Sequence, residues 1–156
     1  MQASSVKTGS TVMMGMGVYT LVISLLWIFL TEAGFTSDFA AYTGQTYSEY
    51  LASSPRHAEM YLITKRLIGV ELFPISVLIV LITQKSYSRG EKWSWYALLI
   101  AGVVVWGSLI GYRIAIGYFG FDTPLRASSS MTPIVGLVLL IVGLGLPART
   151  VFGKTS

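Results

Sequence analysis

Two charged residues interrupt otherwise apolar runs of this chain, Glu71 and Arg113, and they are the residues whose types and positions could do chemistry. A carboxylate or a guanidinium alone in hydrocarbon costs at least ~3 kcal/mol, so each requires a partner. Arg113 lies about 18 residues beyond Trp95 and Glu71 about 14 residues before Lys85, which at 1.5 Å per helical residue puts them roughly 27 and 20 Å from the same interface. An arginine side chain spans that difference, so the expectation is one intramembrane polar site made by Glu71 and Arg113. Such a site has two uses. It can hold two helices in register as a buried ion pair, or it can bind a small hydrophobic or anionic ligand.

No other constellation points to catalysis. Cysteine is absent and His57 is the sole histidine, which excludes thiolate chemistry and histidine-rich metal sites, so no metal and no cofactor are expected. Met13, Met14 and Met16 cluster in the first apolar run and offer soft thioether ligands for Cu(I), but methionine is also ordinary packing material in an apolar helix. No nucleophile with a base and no phosphate-cradling loop is visible, so no catalytic residue is assigned.

The elements that must position Glu71 and Arg113 follow from composition. Of 156 residues, 53% are hydrophobic and 12% charged, about half the charged share of a soluble domain. Four apolar runs are each long enough for a helix to cross a bilayer, which predicts an all-α, polytopic membrane protein built as a four-transmembrane-helix bundle in one domain. The predicted spans are about 11–32, 58–84, 93–119 and 131–148, with a long outer loop over 33–54. Residues Met1 to Ser10 read as a mobile polar lead.

The outer loop carries Phe35, Phe39, Tyr42, Tyr47 and Tyr50, and Thr46-Tyr47-Ser48-Glu49 fits a capping box. These predict a short extracytoplasmic interfacial helix between the first two spans, with its aromatic side chains at headgroup level. Ser54-Pro55 then starts the second long helix, because serine caps and proline tolerates the first helical position.

The net charge of +4 is spread over short connections instead of forming a basic patch, so no nucleic acid partner is expected. Lys7, Lys85, Arg89, Lys92, Arg149 and Lys154 fall on one side of a four-span topology with Glu91 as the one acid, which places both termini in the cytoplasm.

In the third span Gly107, Gly111 and Ala115 recur every four residues and form a ridge on which another helix can pack closely. Arg113 lies about 200° around the helix from Gly111, so an inward arginine turns the ridge outward. Ahead of this span, Trp93, Trp95 and Tyr96 read as interfacial anchors. They belong to the run Tyr87-Ser88-Arg89-Gly90-Glu91-Lys92-Trp93-Ser94-Trp95-Tyr96-Ala97, which resembles the R-G-E-[KR]-W-[AS]-W-Y-A box joining two membrane helices in small prokaryotic four-helix proteins. The resemblance implies a fold and a prokaryotic cell membrane. It contributes no mechanism, because those families carry no established activity.

Three functions compete on this reading. The leading one is a non-catalytic accessory or scaffold subunit of a larger integral membrane complex, of oxidase, monooxygenase or transporter type, whose partners are the lipid bilayer and other membrane subunits or a second copy. The second is a binder or carrier of a small hydrophobic or anionic ligand at Glu71 and Arg113. The third is a membrane enzyme acting on a lipid-soluble substrate.

Overall fold

The computed structural model describes residues 2–117 and 124–153. Helices α1 (Gln2–Phe29), α4 (Pro55–Lys85), α5 (Lys92–Ala115) and α6 (Pro124–Phe152) are the long elements. Two shorter helices, α2 (Thr31–Thr43) and α3 (Tyr47–Ser53), fill the connection between α1 and α4, and a 3-10 turn (Tyr87–Arg89) precedes α5. The chain is all-α, and four of its helices carry segments long and apolar enough to cross a membrane: Ser4–Phe29, within Pro55–Arg89, Lys92–Ala115 and Ser130–Phe152.

The four long helices close a ring. α1 packs on α4 and α6, α6 on α5, and α5 more sparsely on α4, which leaves α1 diagonal to α5. Glycines make the tightest of these approaches. A methyl group at Gly69 of α4 would stand 2.9 Å from the Ser24 carbonyl oxygen and the Ile28 amide nitrogen of α1, so the two backbones touch there. On the other side of α1, a methyl at Gly9 would meet the Gly143 carbonyl oxygen at 2.7 Å, and one at Gly143 would meet the sulfur of Met13 at 2.6 Å. The Trp106 indole is fully buried over Gly136 and stacks on Tyr19 with centroids 5.7 Å apart. Met13 and Met16 are fully buried and pack in this core, while Met14 is half-buried beside it.

Four expectations about the elements are corrected. Helix α1 begins at Gln2 and not at residue 11: Thr8, Ser10 and Thr11 fold their hydroxyls back onto the carbonyls of Ser4 and Lys7, and Ser5 hydrogen-bonds Thr150 at 2.8 Å. The polar lead therefore stays helical and docks on α6. The long outer loop is also mostly helix, because after the break at Leu30 no helix stop appears until Gly44 caps α2 in the left-handed region at φ 73°. Helix α6 starts at Pro124 instead of residue 131, and Pro133 lies in its interior. The third span ends at Ala115, earlier than expected, with residues 116 and 117 in a turn that Gly117 takes at φ 67°, and residues 118 and 119 lie outside the described residues.

The capping box appears as read. Thr46 Oγ1 accepts from the Glu49 amide and the Glu49 carboxylate accepts from the Thr46 amide at 2.8 Å. Helix α4 starts at Pro55, as Ser54-Pro55 predicts.

Candidate functional site

Arg113 is buried in the last turn of α5, where the carbonyl end of the helix favours a cation. Its partner is not Glu71. Arg113 Nη1 donates to Asp38 Oδ1 at 2.5 Å, an ion pair between residues 75 positions apart that ties α2 to α5. Glu71 is exposed on the outer face of α4 and makes no hydrogen bond or ion pair among the described residues. The reason is angular. Lys65 faces the Arg113 end of the bundle, and Glu71 follows it by six residues, about 240° around the helix.

The pair sits inside a larger polar group at the α2 end of the bundle. Lys65 Nζ donates to Tyr112 Oη at 3.0 Å and lies 4.2 Å from that ring's centroid, close enough for a cation–π contact. Tyr61 stands on the same face of α4, with Lys65 Nζ 5.4 Å from its ring. Arg66 Nε donates to Thr31 Oγ1 at 3.4 Å, at the start of α2. Asp38 is almost completely buried, and its second oxygen, Oδ2, has no hydrogen-bond partner among the described residues. Burial pushes the Asp38 carboxyl above the usual carboxylate range, while Arg113 and then Lys65 pull it back in part.

A small aromatic core supports this group. Phe39 lies 5.8 Å from Tyr47, edge-on, 4.9 Å from Tyr50 and 5.1 Å from Tyr61, and Tyr47 Oη donates to the Ala58 carbonyl at 2.9 Å. Ring pairs of this kind add about 0.5–1.5 kcal/mol each beyond their buried area. Phe39, Tyr47 and Tyr50 therefore clamp α2 and α3 to α4 instead of forming a headgroup belt. Tyr42 does stay exposed, and the side chain of Phe35 lies outside the described residues.

At the opposite end, where α1 begins and α6 ends, the aromatic box divides. Trp93 and Tyr96 are exposed, and Trp93 Nε1 donates to Glu91 Oε2 at 2.5 Å. Trp95 is half-buried and turns inward, donating from Nε1 to the Leu144 carbonyl of α6 at 3.0 Å. Tyr87, read only as part of the box, is fully buried and donates to the Gly143 carbonyl at 2.7 Å.

Gly107, Gly111 and Ala115 are exposed on the outer face of α5. A methyl group at Gly111 would meet nothing within 4 Å, so the ridge is unused by packing among the described residues. Sequence reasoning missed Asp38, Tyr61, Lys65 and Tyr112 as members of the polar site. The available signal was the recurrence of Phe35, Asp38, Phe39 and Tyr42 at i, i+3, i+4 and i+7 before Gly44, a spacing that permits a helix with Asp38 beside aromatic residues. Comparison with protein-family models, with curated proteins and with solved structures finds no match to the chain.

Proposed function

We propose that the protein is a non-catalytic accessory or scaffold subunit of a larger integral membrane complex, seated in a prokaryotic cell membrane with both termini in the cytoplasm. The observation that carries this reading is the open ridge on α5. Gly107, Gly111 and Ala115 leave a smooth, exposed strip on a helix whose other face is fully engaged through Gly102, Val105 and Trp106. A glycine in a helix interior costs about 1 kcal/mol relative to alanine, and the internal fold draws no packing from Gly111 to offset that. A second membrane helix approaching the strip would gain close backbone contact. The exposed Val103, Val104 and Ile114 flank it with apolar surface.

The test is gentle solubilisation followed by native mass spectrometry of the wild type and Gly111→Leu. The reading expects a stoichiometric membrane partner, or a second copy, with the wild type and its loss from an otherwise folded variant. A wild type that leaves the membrane alone, or a variant that keeps its partner, overturns it.

A further inference from the structure

We propose that Arg113 is the floor of an oxyanion seat, occupied in this structure by the chain's own Asp38 and open to the phosphate or carboxylate group of a ligand once α2 moves aside. Asp38 comes from outside the four long helices, on a short element joined to α1 and α3 at two backbone breaks. Leu30 leaves helical geometry at φ −120°, ψ 36°, and Gly44 takes the left-handed region at φ 73°. Helix α2 is thus a rigid piece between two joints, and Asp38 is its charged contact with α5.

The fit of Asp38 in the seat is incomplete. A guanidinium presents a planar fork that pairs best with two oxygens on one centre. Arg113 is bonded through Nη1 to Oδ1, while Asp38 Oδ2 is buried and makes no hydrogen bond among the described residues. A buried carboxylate oxygen without a donor raises the energy of the closed arrangement. An arriving oxyanion, free of the helix that constrains Asp38, can orient so that none of its oxygens is left buried without a donor. It would also meet Lys65, which stands over the Tyr112 ring at 4.2 Å, and the hydroxyl-bearing rings of Tyr61 and Tyr112. Phe29 and Leu30, highly exposed at the α1–α2 joint, lie at the same end, so the acyl chain of an amphiphile could stay in hydrocarbon while its headgroup reaches the seat.

The chemistry is shared by a lipid headgroup and a free anion, and the experiment separates them. The full-length protein is placed in nanodiscs of phosphatidylcholine, in nanodiscs of equal parts phosphatidylcholine and phosphatidylglycerol, and in phosphatidylcholine nanodiscs with inorganic phosphate. Hydrogen exchange is followed across residues 31–43. The proposal expects exchange in α2 to rise about tenfold when a ligand replaces Asp38, which corresponds to ~1.4 kcal/mol of differential binding. A rise with phosphatidylglycerol alone identifies a lipid site, a rise with phosphate alone a free-anion site, and a rise with both the common seat. No rise in either arm overturns the proposal.

Asp38→Asn removes the internal competitor and should bind the effective probe about tenfold more tightly than Glu59→Gln, which deletes an exposed carboxylate near the same end. Equal affinities of the two variants would also overturn it, because general charge would then be the cause. The wild-type exchange result stands if Asp38→Asn does not fold.

Discussion

Tyr87 donates its hydroxyl proton to the carbonyl of Gly143, and Gly143 lies four residues before Pro147. Proline has no amide hydrogen, so in helix α6 this carbonyl has lost its ordinary helical donor, and Tyr87 supplies another from across the bundle. Trp95 donates to the adjacent Leu144 carbonyl, which keeps its own helical partner in the Ala148 amide, so this bond is an additional one. Two residues of the aromatic box are therefore hydrogen-bond donors to a proline-interrupted helix, and the box fastens the α4–α5 connection to α6.

Tyr87→Phe keeps the ring and deletes the donor, leaving a buried carbonyl unpaired. The expected loss is about 1–3 kcal/mol, read from thermal unfolding in detergent. Pro147→Ala restores an amide to the Gly143 carbonyl, so in that background Tyr87→Phe should cost much less. Additive effects of the two changes would show that the hydroxyl and the missing amide do not serve the same carbonyl.

The glycines divide into two sets with opposite tolerance. Gly69→Ala forces a methyl into the α1 backbone at Ser24 and Ile28, where no flexible side chain can yield, and overpacking of this kind costs about 1–3 kcal/mol. Gly111→Ala adds a methyl where nothing lies within 4 Å and should leave the unfolding temperature unchanged or raise it through better helix propensity. A large loss at Gly111 in the isolated protein would place the ridge inside the packing.

This division also marks what the sequence could and could not disclose. The four spans were legible because a run of about 20 apolar residues has few alternatives to a membrane helix. The capping box at Thr46 and the start at Pro55 were legible because their chemistry is local. The contacts that close the bundle were not. Gly9, Gly69, Gly136 and Gly143 each meet a residue from another helix, and none forms a four-residue series, whereas the series at Gly107 and Gly111 faces away from the bundle. Asp38 escaped notice for a similar reason. The depth count considered charges inside apolar runs, and the carboxylate that reaches Arg113 rides on a separate helix that packs on α4, α1 and α6.

The pH response of α3 follows from its cap. The Thr46 amide and hydroxyl hold the Glu49 carboxyl below the usual carboxylate range. With the folded value depressed, the box stabilises α3 above the unfolded carboxylate pKa and is lost as pH falls through the lower folded value. Amide exchange over residues 47–53 should therefore quicken in that acidic window. In Glu49→Gln the same segment should show no such step, and a step that persists in the variant would assign it to another group.

The ion pair yields the sharpest comparison, because the sequence pointed to Glu71 as the partner of Arg113 and the structure pairs Arg113 with Asp38. Asp38→Asn or Arg113→Gln alone leaves a buried charge unpaired, and losses of about 3–5 kcal/mol are expected for each. Removing both charges should cost less than the sum, with a coupling energy of about 0.5–3 kcal/mol. Glu71 lies on the outer face of a membrane-spanning helix and bonds to none of the described residues, so Glu71→Gln removes an unpaired charge, should not lower stability and should add independently to Arg113→Gln. Two cycles in thermal unfolding, one through Asp38 and one through Glu71, decide the matter. Coupling in the Glu71 cycle with additivity in the Asp38 cycle would mean that α2 does not seat its carboxylate on Arg113. The aromatic clamp around Phe39 would then have to hold α2 without help from charge, and Phe39→Ala would release it from α4 completely.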